Sequence, residues 1–283
     1  MSADDPTTLV STGWLADHLK DPDLRILDAS WHMPDSGRNA KEEYDRQHIP
    51  GARFFDIDEI SDHRSELPHM APPVDKFMSR MRAMGVGDGH QVVVYDSTGI
   101  FSAPRVWWTF RLMGKRDVAV LDGGLPKWLA EDRPIEDLPP IIRDRHMTVS
   151  RQNQLVRYVT QVARASKLGD HEIVDARSPD RFAGRVEEAR PGLKAGHIPG
   201  SKNLYYKDLL QDDGTMKPVA ALRAEFDRAG IDLDKPAITT CGSGITAAIL
   251  SLAMERIGKA DYSLYDGSWT EWGAFPDLKV ETS

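Results

Sequence analysis

The chain has 283 residues, enough for two domains of ordinary size, and 36 Lys and Arg against 44 Asp and Glu leave a formal charge of −8. With 40% hydrophobic and 28% charged residues the composition is that of a globular protein, and the acidic balance argues against nucleic acid or an anionic membrane as partner. One cysteine, Cys241, excludes an intramolecular disulfide and a zinc or iron-sulfur centre held by thiolates, so a reducing, cytoplasmic compartment is expected. The opening MSADDPTTLV has no basic region and no apolar run behind it, so neither a secretory signal nor a transit peptide is expected. No stretch approaches the roughly 20 apolar residues that span a bilayer.

In chain order, Leu24 to Asp28 predicts a strand, Val74 to Met84 a helix, Gln91 to Tyr95 a strand, Ser102 to Met113 a helix and Val118 to Leu121 a strand. Residues 133–153, rich in Pro, Asp and Arg without apolar periodicity, read as a linker. The pattern then repeats, with strands predicted at Glu172 to Asp175, Ala237 to Thr240 and Tyr262 to Tyr265. After Cys241 a helix is predicted with Ile245, Ala248, Ile249 and Leu252 on one face. Four landmarks tie the halves together: LRILDAS to EIVDARS, HIPGA to HIPGS, VVVYDSTG to AITTCGSG, and LDGGLPKW to YDGSWTEW. A period this long signals a tandem domain duplication. The expected fold class is therefore α/β, two tandem domains, each a parallel sheet flanked by helices. Residues 1–140 would form the first and 150–283 the second.

Ligands of an open α/β sheet bind at the carboxyl ends of its strands, and Cys241 falls at such an end. Gly242 and Gly244 follow it in CGSGIT, so successive N–H groups can turn toward the sulfur and stabilise negative charge there. In the first half Asp96 occupies the matching position. His48 and His197, and the pairs Asp28/Asp175 and Asp122/Asp266, occur in both halves and are read as scaffold. Trp107, Trp108, Trp128, Trp269 and Trp272 are read as packing residues. No phosphate-binding glycine fingerprint indicates a nucleotide, so no cofactor and no metal are expected.

With these motifs in view the chain resembles the tandem-domain sulfurtransferases of the rhodanese superfamily, over nearly its whole length. CGSGIT followed by Ala247 closely resembles the loop of the 3-mercaptopyruvate sulfurtransferases, and HIPGA, FFDID, SAPRVWW, LDGG, HIPGS and YDGSW add to the likeness. The resemblance implies two rhodanese-like domains, the second catalytic through a Cys241 persulfide and the first degenerate. It implies substrate binding by Arg181 and Arg190 with Gly242, Gly244, Ile245 and Thr246, and a catalytic set of Cys241, Ser243, His69 and Asp58. The last two would reach across from the first domain, although Asp56 and Asp62 lie close to Asp58 in sequence. Arg185, between the two binding arginines, is read as a surface ion-pair partner.

Rhodaneses that use thiosulfate carry Arg and Lys in this loop, where positive charge offsets a dianion, and CGSGIT has neither. Phosphatases of the same fold need Arg six positions after the cysteine, and position 247 is Ala, which argues against phosphoryl transfer. The expected reaction moves the sulfur of 3-mercaptopyruvate to a thiol, thioredoxin or cyanide and releases pyruvate. Two alternatives remain at this point. One is thiosulfate:cyanide transfer, and the other a non-catalytic binding module.

Overall fold

The computed structural model describes residues 4–283. Two compact units emerge. The first comprises residues 4–62, 71–152 and 210–216, and the second 63–70, 153–209 and 217–283. Each half of the sequence thus lends a short segment to the other unit, which no composition signal announces.

The first unit is built on a five-stranded sheet of β1 (Leu9–Val10), β2 (Leu24–Asp28), β3 (Arg53–Phe54), β4 (Gln91–Tyr95) and β5 (Val118–Leu121), in the order β1-β5-β4-β2-β3. Every pairing is parallel. The second unit repeats this with β6 (Val156–Arg157), β7 (Glu172–Asp175), β8 (Lys202–Asn203), β9 (Ala237–Thr240) and β10 (Tyr262–Tyr265), in the order β6-β10-β9-β7-β8, again all parallel. The six central strands coincide with the runs predicted from sequence, because strands covered on both faces read as short continuous apolar segments. The edge strands β1, β3, β6 and β8 have two residues each, too few to carry a period.

One helix differs from its prediction. It begins at Ala247, so Ile245 belongs to the loop before it, and residues Ala247 to Met254 are buried on every side instead of along one stripe. All-round burial marks a helix enclosed by its surroundings rather than laid on a surface. Trp107, Trp108 and Trp128 are fully buried in the first unit, and Trp269 and Trp272 nearly so in the second. The repeated histidines do structural work: His48 Nδ1 bonds the Tyr44 carbonyl at 2.7 Å and His197 Nδ1 that of Phe182 at 2.8 Å. Each ring also stacks on the aromatic side chain of that same partner residue. Among the described residues no helix is long and apolar enough to cross a membrane.

Asp28, at the end of β2, is 1% exposed and accepts the Ser30 N–H at 2.9 Å. Burial pushes its carboxyl up to about 6, against hydrogen bonds that pull it down. A carboxyl whose value is higher folded than unfolded destabilises the fold once ionised, so stability contributed below pH 4 is lost as pH rises through about 6. The Asp28→Asn protein should therefore gain about 2 kcal/mol at pH 7.5 and show a flatter stability profile between pH 4 and 6. Urea denaturation at several pH values measures both.

Candidate active site

Cys241 directly follows β9, a strand with neighbours on both sides, and the chain turns there into the helix Ala247–Arg256. The thiol is 2% exposed. Gly244 adopts φ +81°, a left-handed conformation costly for any side chain, and in that pose its N–H points at Cys241 Sγ from 3.2 Å. Ser243 and Ile245 are buried within the same loop, and Thr246 stands at the N-cap position of the helix without a side-chain capping bond.

The loop is clamped from the segment after β10. Trp269 N–H donates to the Cys241 carbonyl at 2.9 Å, and Thr270 donates to the Gly242 carbonyl from both N–H, at 2.9 Å, and Oγ1, at 2.6 Å. The Cys241 N–H reaches Ser268 Oγ at 3.3 Å, and Ser268 itself is held at φ +49°. Two turns of chain far apart in sequence thus fix the position of one sulfur.

Both arginines singled out for binding come to this loop. Arg181 lies against Gly242, where a Cβ would sit 3.2 Å from its Nη2. It is held there by Glu188, which also takes Arg177 Nη1 at 2.7 Å. Arg190 Nη1 donates to Thr270 Oγ1 at 3.4 Å, beside the carbonyl that Thr270 binds. Arg185 instead pairs with Asp180 at the surface, at 2.9 Å. The remaining candidates divide. His69 is 5% exposed, has φ +61°, and lies in the 63–70 segment counted with the second unit, whereas Asp58 stays in the first, its Oδ2 accepting the Trp31 indole N–H at 2.9 Å. Asp56 caps the Ile57–Ile60 helix through the Glu59 N–H.

The first unit shows what the same loop does without a cysteine. Asp96 follows β4 as Cys241 follows β9, and its carboxylate accepts the N–H groups of Thr98, Phe101, Ser102 and Ala103 at 2.8–2.9 Å. The side chain fills its own anion cradle. Four N–H groups of that loop are thereby taken up by the chain's own carboxylate.

The rhodanese-like domain matches this chain twice, over residues 11–131 and 159–275. The chain belongs to the rhodanese family. It is 42% identical over 276 residues to the 3-mercaptopyruvate sulfurtransferase of Escherichia coli (strain K12), covering 97% of this chain and 98% of that one. Thiosulfate/3-mercaptopyruvate sulfurtransferase 1, mitochondrial, of Arabidopsis thaliana is also 42% identical, over 97% of this chain and 78% of its own length. The crystal structure of SseA from Escherichia coli, described as a 3-mercaptopyruvate sulfotransferase of rhodanese fold, superposes with a TM-score of 0.85 at 40% identity, over 93% of this chain and 99% of that one. The chain is accordingly an enzyme of the transferase class that moves sulfur.

Three residues of the rhodanese loop's support had no place among the sequence-based candidates: Glu188, Thr270 and Ser268. Thr270 and Ser268 lie inside YDGSWTEW, a landmark of the repeat, where a shared motif reads as scaffold. The matching stretch of the first half, LDGGLPKW, has Gly and Pro at the corresponding places. That departure was the available signal.

Proposed function

We propose that the protein transfers the sulfur of 3-mercaptopyruvate through a persulfide on Cys241. The observation that carries this reading is the Gly244 N–H on Cys241 Sγ at 3.2 Å, in a loop with no cationic side chain of its own and with Arg181 against it at Gly242. A backbone donor at the sulfur stabilises the thiolate and, later, negative charge developing in the transition state. Arg181 and Arg190 would bind the substrate's carboxylate and carbonyl, since a guanidinium offers paired donors to planar oxygen groups. Gly242, Gly244, Ile245 and Thr246 would line the rest of the subsite.

The Cys241 thiolate attacks the substrate sulfur, the S–S bond forms, the C–S bond breaks, and its electron pair leaves as pyruvate enolate. The enolate then takes a proton to become pyruvate, a step we assign to Ser243 and His69, with Asp58 as the carboxylate of that set. In the second half-reaction an acceptor thiolate, from a small thiol or thioredoxin, or cyanide, attacks the outer sulfur and releases the Cys241 thiolate. The single cysteine supports a reducing compartment, and we read the site of action as the cytoplasm.

Thiosulfate as donor is the second reading, favoured by the double name of the Arabidopsis relative. Intact-mass spectrometry after brief exposure to each donor separates the two. 3-Mercaptopyruvate should add one sulfur, about 32 Da, at least tenfold faster than thiosulfate, with equimolar pyruvate. Faster loading from thiosulfate would reverse the assignment, and no added sulfur from either would return the protein to a binding role.

A further inference from the structure

The edge of the first sheet opposite Asp96 holds four arginines around one cavity of about 250 Å³: Arg25 near the start of β2, Arg53 at the start of β3, and Arg143 and Arg145 on the segment leading to the second unit. That segment is fastened to the first unit. The Asp88 N–H donates to the His146 carbonyl at 3.1 Å, and Asp88 accepts both the Thr148 N–H and Oγ1, at 2.6 and 2.8 Å. A Cβ on Gly85 would meet the Arg143 carbonyl at 2.9 Å, and one on Gly87 the His146 carbonyl at 2.5 Å, so two glycines admit the strap at this depth.

Arg25 and Arg53 are held in place by carbonyls. Their Nε atoms donate to Gly85 and Met84 at 3.0 and 2.7 Å, and their Nη1 atoms to the carbonyls of Pro22 and Leu24 (Arg25) and Gly51 (Arg53), so carbonyls rather than a paired carboxylate fix them. Asp144, between the two strap arginines, turns away to Arg82 at 3.2 Å. Among the described residues none of the four arginines is in an ion pair. In a chain with a charge of −8, four cations collected around one cavity without a paired carboxylate require an explanation.

We propose that this pocket binds the diphosphate group of a small-molecule ligand. Four guanidiniums supply two for each phosphoryl unit, with Arg25 and Arg53 offering the Nη2 donors that their carbonyl contacts leave over. The cavity has the room of roughly eight water molecules, more than a single phosphate fills. The neighbouring imidazole reports the field: His90, which accepts the Gly87 N–H at 2.9 Å on Nδ1, is held down at about 4 by burial and then by Arg25, Arg145 and Lys115, with only Asp23 acting in the other direction.

Calorimetric titration of the full chain with inorganic diphosphate, at ionic strength held constant with sodium chloride, should give saturable one-site binding. Arg143→Gln combined with Arg145→Gln, both on the exposed strap, should weaken it at least tenfold and leave sulfur transfer unchanged. ADP in a parallel arm identifies the source: binding as tight as diphosphate points to a nucleoside diphosphate, and loss of binding points to the free ion. No saturable heat from either probe, or equal binding by the double variant, overturns the proposal. Should the double variant misfold, the wild-type protein still decides, because diphosphate must raise the His90 titration by at least one pH unit in its imidazole NMR signals. An unmoved titration sinks the idea.

Discussion

Cys241→Ser should lower sulfur transfer by at least about 10³-fold from any donor while leaving the fold intact. The substitution exchanges one buried atom for a smaller one at a position 2% exposed, and the Gly244 N–H that meets Sγ at 3.2 Å can donate to a hydroxyl as well. Stability should change by about 1 kcal/mol or less. Chemistry is where the loss falls, because an alkoxide is scarce at neutral pH and oxygen is a poor partner for an attack on sulfur. Steady-state pyruvate release and thermal unfolding, measured on the same preparation, separate these effects. Unchanged unfolding with retained pyruvate release would remove Cys241 from the mechanism and leave the chain no thiol to replace it.

The sequence made the centre of each sheet legible and its edges illegible, for a physical reason. Runs such as Gln91–Tyr95 and Ala237–Thr240 are buried along their length, so apolar content announces them, whereas Arg53–Phe54 and Lys202–Asn203 are half-exposed pairs set only by register against β2 and β7. Cys241 stands out by its place at a strand-to-helix turn, whereas Arg181 and Arg190 are singled out by the family resemblance alone, and the structure brings both arginines to the Cys241 loop. The clamp was not: Thr270 and Glu188 act on the loop through hydrogen bonds that join residues 28 apart in one case and 7 in the other, and only folded geometry reveals them. Composition marks residues 133–153 as a linker. Its later part packs against Gly85, Gly87 and Gly114, contacts that depend on the absence of a side chain on the other partner and that composition does not show.

The largest loss of stability should follow Arg177→Met. Arg177 is buried, its guanidinium bonded to Asp175 at 2.7 Å, to Glu188 at 2.7 Å and to the Gly196 carbonyl at 2.8 Å. Burial alone would pull its pKa down, yet the two carboxylates outweigh that and raise it. Removing the cation leaves Asp175 and Glu188, side chains 1% and 2% exposed, without their shared partner, a change that costs about 3–5 kcal/mol. A buried carboxylate deprived of its cation favours its neutral form, so the variant's deficit should shrink as pH falls from 8 to 5. A deficit that stayed constant across that range would mean that lost packing, not stranded charge, is the cause. Activity should fall as well, and the route is visible. Arg177 lies 4.2 Å from the centroid of Trp269, whose N–H holds the Cys241 carbonyl, and it shares Glu188 with Arg181. The same guanidinium therefore positions the loop that carries Cys241 and the arginine set against it. At a temperature where the variant remains folded, kcat should drop through the loop and KM should rise through Arg181. A merely structural role would lower the amount of active protein and leave KM as it was.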